Sequence, residues 1–264
     1  MDSYAKTNRS LWDGWAKINA SSTFYDVGAF RAGASSLKAL ERAELGEVSG
    51  RSLLHLQCHF GLDTLSWARL GATVTGVDFS TRAIATARAL AEELAIPARF
   101  VESDVLELAL AERFDVVFTS YGTICWLSDL SRWAGVVASH LEPGGIFYMV
   151  DFHPLASALS DDGARIQYPY LPTGRAELYP QKGSYADLTA EFEHDSYEWH
   201  HGLGDIVTAL IDAGLQLEFL REHPYSSHGC FPFAEEAGPD RWVVRGLDVP
   251  VPLMYSLRAR AGAA

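Results

Sequence analysis

Basic residues are scarce in this chain: 21 Lys and Arg stand against 34 Asp and Glu, a formal net charge of −13. Binding to a nucleic-acid backbone depends on clustered positive charge, so no nucleic-acid partner is expected, and anionic membrane surfaces are disfavoured on the same ground. Long apolar runs are missing as well. No stretch approaches the roughly 20 residues of a membrane span, and residues 1–10 are polar, without a signal-peptide core. No membrane partner is expected, and the reading is cytoplasmic. Cysteine is sparse: Cys58, Cys125 and Cys230 are far apart and odd in number, which gives neither a disulfide framework nor zinc-knuckle spacing. Against these absences stands a chain of 264 residues, 48% hydrophobic and 21% charged. That is an ordinary globular composition, with length for one α/β domain with additions or at most two small domains.

The stretch 52–80, SLLHLQCHFGLDTLSWARLGATVTGVDFS, organises the rest. Leu53, Leu54 and Leu56 form a short apolar run that ends at a turn containing Gly61. Residues 62–70 then carry apolar side chains at helical spacing, closed by Gly71. Val74, Gly76 and Val77 form a second buried strand that stops on Asp78. Strand, tight turn, helix and strand ending on an acid is the sequence form of a nucleotide-binding half of a doubly wound sheet. The turn lets the backbone approach a ligand, and the acid suits a pair of ribose hydroxyls.

Further elements follow in order. Residues 81–94 have helical period, and Arg99, Phe100 and Val101 begin a third strand leading to Asp104. FDVVFT at 114–119 is a fourth buried strand, residues 127–140 read as helical, and LEPGGIFYMVDFHP carries a glycine turn (Pro143, Gly144, Gly145) into a fifth strand. This series resembles the class I S-adenosylmethionine-dependent methyltransferases, whose first motif runs close to VLDLGCGTG. LLHLQCHFG keeps Cys58 and Gly61. It departs where His55 stands for an acid and where Gln57 and His59 replace two glycines. In that family the acid contacts the amino group of the methionine part, so the departure bears on that contact.

The resemblance implies an α/β fold: a doubly wound, mostly parallel seven-stranded Rossmann-like sheet with an N-terminal helical lid and an inserted substrate-binding section. It implies S-adenosyl-L-methionine as cofactor, held by His55, Gln57, Gly61, Asp78, Phe79, Asp104, Val105, Ser120 and Tyr121. Asp78 would take the ribose and Asp104 the adenine amino group, while Ser120 and Tyr121 would lie beside the sulfonium. Asp104 also suits an N-cap for the next turn.

Residues 2–34 are rich in aromatics, with Trp12, Trp15 and Asn19 at helical spacing, read as a covering helix or as a lid over the site. Residues 35–45 are expected to form a further amphipathic helix. The proline- and glycine-rich stretch 155–195 reads as short strands and loops without helical period, and loops on the carboxyl edge of such a sheet tend to carry specificity. A helix over 203–213 and two strands, 215–220 and 251–258, complete the chain, the strands as an antiparallel pair. The expected organisation is a lid at 1–46, a cofactor core at 47–154, an insertion at 155–200 and a completing segment at 201–264.

Methyl transfer is one displacement at a sulfonium carbon; it needs alignment and, for some acceptors, a base. Histidine suits that role. The expected catalytic set is His200, with Glu198 orienting its ring because the two share a face in an extended segment, and His153 after the fifth strand. Trp15, Tyr25, Trp126 and His201 are the expected substrate contacts, for a small molecule methylated at O or N. A metal is not expected, since adjacent histidines after an irregular loop are poor chelators. The alternatives are an NAD-dependent oxidoreductase, against which the missing three-glycine turn counts, and a non-catalytic S-adenosylmethionine-binding protein.

Overall fold

Alternation along the central strands sends apolar side chains to both faces of a single sheet. The computed structural model describes residues 2–246 and 249–263; Met1, Leu247, Asp248 and Ala264 lie outside it. From the N-terminus, α1 (Ser3–Ser21), α2 (Val27–Arg31) and α3 (Ala39–Leu45) precede β1 (Ser52–Leu56), α4 (Leu62–Arg69), β2 (Thr73–Asp78), α5 (Thr81–Glu93), β3 (Ala98–Glu102) and β4 (Phe114–Ser120). Then come α6 (Leu130–Ser139), β5 (Leu141–Phe152), α7 (Pro154–Ala158), β6 (Glu177–Lys182) and β7 (Glu193–Glu198). The chain closes with α8 (Leu203–Asp212), β8 (Leu215–His223), β9 (Ala234–Glu236), β10 (Trp242–Val244) and β11 (Met254–Ala261).

Seven strands form the main sheet in the order β3-β2-β1-β4-β5-β11-β8. The first five run parallel; β11 is antiparallel to β5 and to β8. Leu54, Leu56, Val117, Phe147 and Met149 face one core with Trp133, while Leu53, Val116, Phe118, Tyr148 and Val150 face the other with Trp67. Both faces are thus covered, as a parallel sheet requires. The order reverses between β1 and β4, and ligands bind at the carboxyl ends of strands at such a switch point.

Several expected boundaries move. Only Ala39–Leu45 is helical in the 35–45 stretch, because Ser36 is held extended: its N–H and hydroxyl reach Ser66 Oγ at 3.2 and 3.0 Å, and the hydroxyl donates to Asp63 Oδ1 at 2.6 Å. The helix expected from 127 starts at Leu130, where Asp129 caps it by accepting from Arg132 N. The Pro143–Gly145 turn lies within β5 as a bulge: Phe114 pairs with Leu141 and Val116 already with Ile146. β6 and β7 form their own antiparallel hairpin, and α1 is bound to it. Asn8 donates to Tyr197 O at 2.7 Å and accepts from Tyr197 N at 2.8 Å, and Trp15 Nε1 donates to Gly183 O at 2.8 Å. Asn19 Oδ1 accepts from Ser184 Oγ at 2.8 Å. Among the described residues no helix is long and apolar enough to cross a membrane.

Candidate active site

At the carboxyl ends of β1, β2 and β4, roofed by α1 and the β6–β7 hairpin, lies a cavity of about 690 Å³. Its floor is the turn after β1. Gln57, His59 and Gly61 all have left-handed backbone, with φ of 55°, 50° and 81°. The glycine is required: a Cβ at Gly61 would come within 2.7 Å of the Phe100 ring. At Gln57 and His59 the chain keeps a glycine-like backbone without glycine, at about 1–2 kcal/mol each. Their side chains are engaged in return. Gln57 Nε2 donates to Thr123 O at 3.0 Å, leaving its buried Oε1 without a partner. His59 stacks on Tyr25 with ring centroids 5.6 Å apart, and its Nδ1 accepts from Phe60 N at 2.8 Å.

Asp78, at the end of β2, is buried. Its two oxygens accept from His59 N and Ser80 N, both at 2.8 Å, and each keeps a further lone pair for a ligand hydroxyl. Burial pushes its carboxyl up to about 6. Asp104 caps the 3-10 turn after β3, accepting from Leu106 N at 3.0 Å, and lines the cavity beside Val105. His55, Phe79, Ser120 and Tyr121 line it too; every residue expected at the cofactor therefore reaches one cavity.

His55 does not stand in chemically for the acid of the family's motif. Burial drives it down to about 3, so it is neutral, with Nδ1 bonded to Thr64 Oγ1 at 2.8 Å and Nε2 unpartnered. A carboxylate comes from elsewhere. Asp63, in the first turn of α4, lines the cavity, accepts from Ser36 and from Ser120 Oγ at 3.1 Å, and is raised by burial. Sequence reasoning passed over it, although an acid two residues after the turn glycine was the available signal. Asp151, also missed, is buried under the loop after β4 and accepts from the N–H groups of Gly122, Thr123 and Ile124, which fixes Tyr121 to Trp126 against the cavity.

The expected substrate contacts divide. Trp15, Tyr25 and Trp126 line the cavity; Trp12 stands between the two tryptophans, 5.2 Å from Trp15 and 5.3 Å from Trp126, and Tyr185 hydrogen-bonds Tyr25. His201 is turned away, its Nε2 on Leu127 O at 2.8 Å. The expected histidine base is corrected in the same way. β7 ends at Glu198, so the shared face is lost: His200 Nε2 bonds Tyr179 OH at 3.0 Å outside the cavity lining, while Glu198 accepts from Ser196 Oγ at 2.9 Å. His153 caps α7 through Leu155 N and reaches Glu222 at 2.9 Å, also away from the lining. Of the expected catalytic set, Glu198 alone faces the cavity. Among the described residues no group of three His, Cys, Asp or Glu could hold a metal.

A seven-stranded, mostly parallel sheet of this order is the Rossmann-like arrangement of its methyltransferase neighbours. The comparisons agree with this fold: residues 53–145 match the methyltransferase domain family. Similar relatives include the ubiquinone biosynthesis O-methyltransferase of Paramagnetospirillum magneticum, 33% identical over 47% of this chain and 51% of that protein. Its namesake from Rhodopseudomonas palustris is 31% identical over 61% and 60%. The chain thus spans about half the length of the first of these relatives. Among solved structures, an S-adenosylmethionine-dependent methyltransferase from Mesorhizobium loti matches with TM-score 0.56 and 23% identity over 87% of this chain and 99% of that one. A glycopeptide N-methyltransferase complexed with sinefungin matches with TM-score 0.58 and 20% identity over 88% and 89%. At these identities the two structures speak for the fold.

Proposed function

We propose that this protein transfers a methyl group from S-adenosyl-L-methionine to an oxygen or nitrogen of a small molecule. The observation that carries the reading is Asp78, a buried carboxylate at the switch-point edge whose remaining lone pairs open onto a cavity walled by the glycine-like turn. The residues fit the cofactor. Asp78 would take the ribose hydroxyls, Asp104 and Val105 the adenine, and Asp63 with Ser120 the ammonium of the methionine part, the role from which neutral His55 has withdrawn. The cofactor supplies an electrophilic methyl on a sulfonium. The chain's own part is to orient it, to exclude water beneath the aromatic roof and to align the acceptor. The relatives named for O-methylation support an oxygen acceptor, and a nitrogen is the other nucleophile that one displacement at the sulfonium carbon serves. The reading extends to a cytoplasmic enzyme without nucleic-acid partners, organised as a lid at 1–46, a core at 47–154, an insertion at 155–200 and a completing segment at 201–264.

Calorimetric titration with S-adenosylhomocysteine and with NAD tests it. The expected result is binding of the first and not of the second, weakened by about 2–3 kcal/mol in Asp78→Ala, the scale of charged hydrogen bonds left unmade in a buried site. Equal affinity in a folded Asp78→Ala protein would remove Asp78 from the site, and binding of NAD alone would reverse the reading.

A further inference from the structure

We infer that the small-molecule substrate is an arylalkyl amine whose ammonium docks on Glu198; this rests on the reading above and names the substrate class for the same cavity. Glu198 closes β7, lines the cavity and is held largely out of water. Among the described residues its carboxylate accepts one hydrogen bond, from a neutral hydroxyl: Ser196 Oγ donates to Glu198 Oε1 at 2.9 Å, and Gln181 Nε2 donates to the same serine oxygen at 2.9 Å. Among the described residues no Lys, Arg or His lies within ion-pair distance of it. A desolvated carboxylate without a counter-ion is costly, and a cation brought by a ligand removes that cost.

The surroundings select the same ligand. Of the cavity's basic side chains, Lys38 is engaged by Asp240 and Arg132 by Glu107, while burial holds His55, His59 and His228 neutral, so among the described residues no free cation lines the cavity to receive an anionic substrate. The walls near the roof are Trp12, Trp15, Trp126 and Trp199, whose ring faces attract cations and stack on rings. The end of β7 is fastened to the loop after β4, where Trp199 N donates to Cys125 O at 2.8 Å. That loop carries Tyr121 and Gly122 at the floor of the cavity, so an ammonium on Glu198 sits over the same chamber as the cofactor site.

The test is titration of the full chain with three probes of matched shape: 2-phenylethylamine, 2-phenylethanol and 3-phenylpropanoate. Each is run with and without saturating S-adenosylhomocysteine. The expected result is that the amine binds at least about tenfold tighter than the alcohol, with the acid weakest, as removal of a buried unpaired charge demands. In Glu198→Gln the amine should fall to the alcohol's affinity while S-adenosylhomocysteine binding is unchanged; Glu198→Asp should keep part of the preference. Equal binding of amine and alcohol, tighter binding of the acid, or no binding of the amine at millimolar concentration overturns the proposal from the wild-type protein alone. A preference that survives in Glu198→Gln does the same. Failure of S-adenosylhomocysteine to bind would strike the cofactor reading instead, and the titrations without it still judge Glu198.

Discussion

Glu41 is fully buried, with Lys38 N donating to its Oε1 at 2.6 Å and Tyr121 OH to its Oε2 at 3.0 Å. Burial first, and then the charge of Asp63, pushes its carboxyl up to about 7. Between the ordinary carboxyl value and 7 the folded state holds a proton that the unfolded chain has released, so stability falls as pH rises through that window and is level above it. Glu41→Gln keeps an acceptor oxygen for Lys38 N, can donate its amide to the Tyr121 hydroxyl where the carboxylate accepted from it, and cannot ionise. It should be more stable than the wild type by on the order of 1–3 kcal/mol at pH 8 in urea unfolding, with the gap closing towards pH 5. An equal midpoint at pH 8 would mean that Glu41 is already compensated as an anion. At this scale the sequence told unevenly. Asp78 and Asp104 were legible because strand ends fix their position. Glu41 was not, because its meeting with Asp63 depends on α3 and α4 packing across Ser36, which no local pattern encodes. His200 misled for a similar reason: the alternation that would pair it with Glu198 stops with β7.

The roof is made of two elements far apart in sequence, α1 and the β6–β7 hairpin. Asn8 is buried and clamps the backbone of Tyr197 through both its oxygen and its nitrogen. Asn8→Ala should leave a peptide N–H and a carbonyl unmatched, at about 1–3 kcal/mol. The measurable outcome is faster amide exchange along α1 with the sheet still protected, and a faster S-adenosylhomocysteine off-rate in stopped flow. Unchanged exchange would show that apolar contacts alone hold the roof. The aromatic residues and helical spacing of this segment announced a covering helix; what they could not announce was its partner, since a hairpin in a stretch without clear period carries no signal of where it will dock.

The molecule's seven strands were legible because short apolar strands, helices and glycine turns alternate along the chain, and their doubly wound, mostly parallel arrangement followed from the family resemblance; the order β3-β2-β1-β4-β5-β11-β8 is given by the structure. The bulge in β5 and the small β9–β10 hairpin were not legible, since both answer to neighbouring strands. For the whole molecule, S-adenosylhomocysteine at a hundredfold over its dissociation constant should stabilise by about 2.7 kcal/mol, raising the unfolding midpoint by roughly 5–10 °C for a chain of this size; NAD should leave it unmoved. The bonds from α1 to the hairpin join residues 165 to 189 positions apart. During synthesis α1 therefore leaves the ribosome long before Gly183 and Tyr197 exist. It can settle early on α5, where Asp13 accepts from Ser80 Oγ and Arg82 N and Arg9 donates to Thr81, but its bonds to the hairpin close last, across so many residues of chain. The nascent protein builds its cofactor floor first and its ceiling afterwards, so it passes through a stage in which the floor stands open to water.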